Sequence, residues 1–230
     1  MKLSIVIPCL NEELTIGSCI EQAKKGLLSL NIDSEIVVVD NGSTDRSLSI
    51  IKEKGARIIS VPVRGYGNAL IAGIIGAKGE YVVMGDSDGT YDFTEAVNFM
   101  QKFNEGCEIV LGNRFKGKIE KGAMPFQNRY LGNPAISFLI RLLYGKGFGD
   151  TQCGLRGGKR ETLLKLRLVC TGMEFASEMA IKALESGVKI GEVPIHLHPD
   201  VPGRKPHLRP WRDGFRHLKY IIGHKLGYRT

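Results

Sequence analysis

The sequence predicts an α/β domain in which a mostly parallel twisted sheet is flanked by helices, followed by a basic C-terminal helical appendage. Three observations carry this. Short apolar, β-rich runs alternate with segments of helical period through the first half of the chain. The runs lack polar alternation, as strands covered on both faces do. Each run ends in polar or acidic residues, which places those groups along the carboxyl rim of the sheet, where open α/β sheets bind ligands.

The elements follow in order. Lys2–Pro8 (KLSIVIP) reads as the first strand, with Pro8 stopping it. Asn11–Ser29 reads as a helix opened by Asn11-Glu12, with Ile16, Ile20, Ala23 and Leu27 at helical spacing. Ser34–Asp40 is a second strand ending in a carboxylate, and Ser43–Lys54 a helix with Ser43 and Thr44 as candidate N-caps. Arg57–Val61 is a strand, Tyr66–Ala77 a helix rich in small residues, and Glu80–Met84 a strand running into Asp86 and Asp88. Thr94–Asn104 is helical and Cys107–Leu111 extended. Beyond residue 115 the pattern loosens: a Gly/Lys-rich loop over Lys116–Met124 reads as mobile, helices are expected over Asn133–Tyr144 and Glu174–Ser186, and a strand over Lys189–Pro194.

Composition narrows the classes. The chain has 230 residues, 43% of them hydrophobic, enough for one large core. Its 29 glycines, about 13%, exceed the usual share of about 7% and fall largely in loops. Five cysteines, at 9, 19, 107, 153 and 170, form no CxxC pair, which argues against a disulfide framework or zinc knuckle and fits a reducing cytoplasmic compartment. The N-terminal run opens directly into a strand pattern, so no signal peptide is expected, and no apolar stretch reaches the roughly 18 residues of a membrane span. The net charge of +8 is concentrated at the end: Gly203–Thr230 carries Arg204, Lys205, Arg209, Arg212, Arg216, Lys219, Lys225 and Arg229 against Asp213 alone. Such a tail fits phosphate groups or an anionic membrane face, or is a solvated helix face.

The sharpest motif is Asp86-Ser87-Asp88 directly after a buried strand. Carboxylates at i and i+2 in an extended segment project to one side. They repel unless a divalent cation lies between them, and Mg²⁺ or Mn²⁺ prefers carboxylate oxygens while sharing its remaining positions with phosphates. The alternative is a capping turn for the helix at Thr94. In Val37–Asp45 (VVVDNGSTD) a strand delivers Asp40 to an Asn-Gly turn, where it can accept hydrogen bonds from a base or ribose, or simply close the turn. In Ile5–Glu13 (IVIPCLNEE), Glu12 can meet a base edge or ribose hydroxyls, or complement a helix N-terminus.

The order IVIPxxNEE, VVDNGSTD, DSD after a fourth strand and GNRF resembles glycosyltransferase family 2, and most closely its dolichyl- or polyprenyl-phosphate sugar synthases. Further likenesses are DTQCGLR from Asp150, MEFASEM from Met173, EVPI from Glu192 and RKPHLRPWRDGFRH from Arg204. The resemblance covers nearly the whole chain. It implies a GT-A, Rossmann-like domain over 1–200, with 201–230 as a basic tail on the acceptor and membrane side. It implies that Pro8, Glu12 and Asp40 hold the nucleotide, that Asp86 and Asp88 hold Mg²⁺ or Mn²⁺ and the diphosphate, and that Arg114, Arg129 and Arg204, with Arg209, serve the acceptor phosphate and donor diphosphate. Where many relatives read DADLQH this chain reads DSDGTY, and RKPHLR replaces the usual R-x-x-G-x-S-K.

The implied reaction moves a hexose from a GDP-mannose or UDP-glucose type donor to a polyprenyl or dolichyl phosphate, inverting the anomeric centre. A lipid phosphate is anionic near pH 7, so positioning and charge neutralisation suffice. A neutral hydroxyl acceptor, the alternative, needs a base, for which Glu174 and Glu178 are candidates. The apolar segment Pro134–Tyr144 is expected to be buried or to face lipid. The final helix, with Phe215, Leu218, Ile221 and Ile222 opposed to Arg212, Arg216, Lys219 and Lys225, is expected to lie on an anionic membrane or to pack back onto the sheet. Many relatives continue into transmembrane helices after this point. The expected placement is therefore peripheral, on the cytoplasmic face of a membrane, with a membrane-anchored partner subunit as an option and no nucleic-acid partner. A nucleotidyltransferase would show a Gly-rich basic loop after the first strand, and a dehydrogenase a GxGxxG turn; neither is present. A non-catalytic docking module leaves the acidic strand ends unexplained.

Overall fold

The computed structural model describes residues 1–145, 147–204 and 209–228. Its centre is a seven-stranded sheet built from β1 (Leu3–Cys9), β2 (Ser34–Asp40), β3 (Arg57–Ser60), β4 (Tyr81–Met84), β5 (Ile109–Asn113), β6 (Arg156–Lys159) and β7 (Ile190–Pro194), in the order β3-β2-β1-β4-β6-β5-β7. All neighbours run parallel except β6, which is antiparallel to both β4 and β5. The helices are α1 (Ile16–Leu30), α2 (Ser47–Glu53), α3 (Tyr66–Gly76), α4 (Ala96–Asn104), α5 (Asn133–Tyr144), α6 (Arg160–Lys165), α7 (Phe175–Glu185) and α8 (Pro210–Lys225).

Helices cover both faces. Along β1 the side chains alternate: Leu3, Ile5, Ile7 and Cys9 join the layer of Ile16, Ile20, Phe93 and Phe99, while Val6 joins that of Leu70, Phe175 and Met179. All seven residues of β1 are buried, as expected for a central strand without polar alternation. Each fully buried Ile, Leu, Val or Phe in these layers contributes roughly 1.5–3 kcal/mol.

Several boundaries differ from the sequence reading, each for a local reason. Pro8 does not stop β1, which continues to Cys9. Val6 accepts from the Gly85 amide on the β4 side and Cys9 from the Asn41 amide on the β2 side. Pro8 therefore turns its N–H-less nitrogen toward β4 at a level where β4, paired only as far as Met84, has ended. The first helix begins at Ile16 rather than Asn11, because Asn11 sits at φ 55° and its side-chain carbonyl accepts from the Thr44 amide. Ser43 and Thr44 are not caps. Ser43 Oγ accepts from the Asn11 amide, and Asp45 takes the Ser47 amide at the start of α2. These bonds clamp the β1 and β2 exits together.

The loop Lys116–Met124 is held rather than loose. The Lys118 carbonyl accepts from the Leu197 amide, and the Glu120 amide donates to the Leu197 carbonyl. α5 has the limits expected of it. In α8, Tyr220 and Ile221 are buried against α5 and α7, and Tyr144 donates to the Ile221 carbonyl. The opposite side of α8 leaves Trp211 89% exposed, with Phe215, Leu218 and Ile222 also open. The helix thus packs onto the body with one face and presents apolar side chains with the other. Among the described residues, no helix is long and apolar enough to cross a membrane.

Candidate active site

The acids gather where the chain leaves β1, β2 and β4. β4 delivers Gly85 and then Asp86 and Asp88. Asp86 Oδ1 accepts from the Tyr66 hydroxyl at 2.7 Å. Asp88 Oδ1 accepts from the Thr90 amide at 3.0 Å and the Thr90 hydroxyl at 2.7 Å. Each carboxylate is thereby fixed through one oxygen. The capping of the next helical turn falls to Asp92, which takes the Thr94 amide, so the Asp86–Asp88 pair is not a helix cap.

Desolvation raises the pKa of both aspartates, and the Asp88 charge adds to the rise at Asp86. Nearby positive groups oppose this: Arg156 and Arg114 at Asp86, and Arg204 at Asp88. Two partly buried carboxylates whose charges act on each other form a donor set that suits a hard divalent cation. Gly154 keeps the space: a Cβ there would stand 2.0 Å from Asp86 Oδ2.

Arg204 closes the other side. Its guanidinium donates to both oxygens of Glu12, Nε to Oε2 at 2.7 Å and Nη2 to Oε1 at 2.6 Å, and Nη1 reaches Asp200 Oδ1 at 3.1 Å. Nη2 also lies 3.9 Å from Asp88 Oδ2. Glu12 and Asp88, which the sequence assigns to different parts of the ligand, are thus joined through one arginine. Asp40 accepts from the Gly42 and Ser43 amides, closing the Asn-Gly turn. Asn41 braces that turn against the next loop by donating to the Val61 and Val63 carbonyls and accepting from the Gly65 amide. Pro8 is buried in β1 beside this turn, in register with Val39.

The remaining arginines differ in what already holds them. Arg114 is buried and already engaged: Nε and Nη2 grip the two oxygens of the fully buried Asp150 at 2.7 and 2.8 Å. Its planar fork is committed to a carboxylate, and its effect on the rim is the positive potential felt by Asp86. Arg129 lies on a wide helical turn, Asn128–Gly132, over the ring of Tyr130 at 5.5 Å, and among the described residues no hydrogen bond or ion pair ties it to the acids. Arg209 is exposed at the start of α8, where its amide donates to Asp213 Oδ2. Lys205–Leu208, the middle of the basic run, lie outside the described residues.

Of the two candidate bases, Glu178 is fully buried and accepts from the Val169 and Cys170 amides and from Lys182, which makes it an anchor for the loop before α7. Glu174 Oε1 accepts from Arg216 at 2.5 Å. Sequence reasoning missed Tyr66, Thr90, Asp150, Asp200 and Arg156. Arg156 is the largest fully buried side chain and donates to the Cys153 and Ala176 carbonyls behind Asp86. Its only signal in the sequence was the DTQCGLR segment.

The Glycosyl transferase family 2 model matches residues 4–167. The low-salt glycan biosynthesis hexosyltransferase Agl6 of Haloferax volcanii is 37% identical over 98% of this chain and 54% of its own length. This chain therefore spans about half of that relative. The dolichyl-phosphate hexose transferase of the same organism is 35% identical over 84% of this chain and 81% of its own. Among solved structures, the glucosyl-3-phosphoglycerate synthase of Mycobacterium tuberculosis in complex with Mn²⁺, UDP and phosphoglyceric acid superposes with a TM-score of 0.71 at 24% identity, covering 100% of this chain and 80% of that one. The same enzyme is also solved with Mg²⁺ and UDP.

Proposed function

This chain belongs to glycosyltransferase family 2 and is a glycosyltransferase, and from that premise we propose that it transfers a hexose from a nucleotide sugar to a polyprenyl or dolichyl phosphate, with inversion and with dependence on Mg²⁺ or Mn²⁺. The observation that carries the reading is the pairing of Asp86 and Asp88 at the end of β4, with Arg204 and Glu12 closing the same rim. The likeness to a transferase named for dolichyl phosphate supports the acceptor class.

In this reading Asp86 and Asp88 hold the cation, each through the oxygen not spent on Tyr66 or Thr90. When bound, the cation supplies Lewis-acid stabilisation of the departing nucleoside diphosphate. The chain's own residues do the rest. Asp40 and Glu12 line the nucleotide side, while the loop carrying Asp200 and Arg204 covers it. Arg204 exchanges part of its hold on Glu12 for phosphate oxygens, which its fork fits equally well. Arg114 and Arg156 bias the rim toward anions from beneath. Arg129 and Arg209, which pair with none of these acids among the described residues, approach the acceptor phosphate from the side of α5 and α8. An acceptor already ionised needs no proton removed, consistent with Glu178 being spent on backbone amides.

The acceptor's lipid would meet the exposed apolar side chains of α8 (Trp211, Phe215, Leu218, Ile222) and α5 (Phe138, Leu142). Exposed Arg212, Lys219 and Lys225 beside them suit an anionic bilayer on the cytoplasmic side. The protein would then act as a peripheral enzyme whose GT-A body is residues 1–200 and whose acceptor-side tail is 201–230. A membrane-anchored partner subunit is compatible with this placement.

The test is a donor screen: labelled GDP- and UDP-hexoses, a polyprenyl phosphate, and Mg²⁺, Mn²⁺ or EDTA, scored for labelled lipid. Metal-dependent labelling of lipid from one donor supports the reading. Labelling of a glycan or small-molecule hydroxyl instead would replace the acceptor class. Donor turnover unaffected by EDTA would remove the metal.

A further inference from the structure

Outside the rim just described, three chain segments meet beside the exit of β7. Leu197 bridges both Tyr91 and Ile119, and its side chain is buried in the core. His196 and His198, one residue to either side in an extended segment, therefore project together to the opposite face. Glu120 is brought to that face by the hydrogen bond its backbone amide donates to the Leu197 carbonyl.

The geometry points to a second cation site formed by Glu120, His196 and His198, of the borderline, Zn²⁺ type. Glu120 Oε1 stands 3.0 Å from His196 Nε2 and 3.4 Å from His198 Nδ1. One donor atom from each residue lies within 4.8 Å of the other two, and the rings are 4.3 Å apart. A tetrahedral ion with bonds of about 2.0–2.1 Å holds its donors about 3.3 Å apart, which is the spacing seen around Glu120 Oε1.

The second observation is independent. His196 Nε2 is sealed from solvent and, among the described residues, makes no hydrogen bond; its 3.0 Å approach to Glu120 Oε1 is an ion-pair contact only. A buried polar atom left without a bond is destabilising, and a metal bond satisfies it. The three side chains remain about one-third exposed, which leaves a position for water.

The site differs from the aspartate pair in chemistry and place. Imidazole with one carboxylate suits Zn²⁺, Co²⁺ or Ni²⁺, whereas two carboxylates suit Mg²⁺ or Mn²⁺. Thr90 stands between them: its amide and hydroxyl serve Asp88, while its carbonyl accepts from the His198 amide. An ion there ties the loop at Glu120 to the segment that leads on to Asp200 and Arg204.

The test uses tag-free full-length protein in excess Mg²⁺, titrated with Zn²⁺ by calorimetry and followed by histidine-ring ¹H–¹⁵N NMR. The expected result is one equivalent of Zn²⁺ bound and two imidazoles shifting together. Affinity should fall about tenfold or more in His196→Ala, His198→Ala and Glu120→Gln, and be kept in Asp88→Asn. No binding, binding unchanged in either histidine variant, or loss in Asp88→Asn overturns the site. Should a variant fail to fold, the wild-type spectrum decides: histidine shifts that leave these two rings unmoved overturn it equally.

Discussion

Arg204 and Glu12, 192 positions apart in sequence, form a two-point ion pair in which both partners are nearly buried. The pair fastens the last loop before α8 to the first turn after β1. Contacting charged residues of this kind couple by about 0.5–3 kcal/mol. A double-mutant cycle of Arg204→Ala and Glu12→Gln, read by denaturant unfolding, should return a coupling in that range. Additive losses would mean the fork contributes nothing as a pair.

Asp88→Ala should lower turnover at least about 100-fold while the fold survives. Its melting temperature without metal should stay level or rise, because Asp86 loses a like-charged neighbour that now raises its pKa. Turnover near that of the parent would remove Asp88 from the cation site.

Gly154→Ala places a methyl group 2.0 Å from Asp86 Oδ2 and 2.9 Å from the Tyr91 ring. The carboxylate must swing away. Mn²⁺ affinity, followed by electron paramagnetic resonance, is expected to fall about tenfold or more. Unchanged affinity would show that Asp86 does not set the site.

His217 is buried, with Nδ1 2.8 Å from Ser177 Oγ, and burial pushes its pKa down to about 4 from 6.5. Folding favours the neutral ring, so its contribution is complete above pH 6.5 and is lost as pH falls toward 4. By pH 5 that loss amounts to about 2 kcal/mol. His217→Gln should flatten the fall in stability between pH 7 and 5. An unchanged slope would assign the acid sensitivity elsewhere.

Trp211 is the single tryptophan of the chain and is almost fully exposed. Its emission should shift to the blue on addition of anionic vesicles, and less so at high salt. Emission unmoved by vesicles would take α8 off the membrane.

Much of this was legible in the sequence. The runs IVIP, IVVVD and YVVM announce buried parallel strands, and their acidic ends lie on one rim as the topology requires. Other features depend on partners far along the chain. The commitment of Arg114 to Asp150 cannot be read from either residue alone. β6 was invisible because its sequence, RGGK, lacks β-forming side chains. Glycine is needed there for close approach, since a Cβ on Gly157 would lie 2.6 Å from the Val82 carbonyl oxygen. The helix limits after β1 and β2 shifted because Asn11, Ser43 and Thr44 bond across the two exits, while Asp45 takes the Glu13 amide across the gap and the Ser47 amide in its own segment.

The placement of β6 between β4 and β5 also sets the order of assembly during translation. A nascent chain that has emerged only through β5 has β4 bonded to β1 on one side alone, and lacks both of the strands that flank β5. The aspartates riding on β4 stay on an unfinished edge until Arg156–Lys159 leave the ribosome. A stall in that interval leaves the unpaired edges of β4 and β5 open to backbone pairing with neighbouring copies.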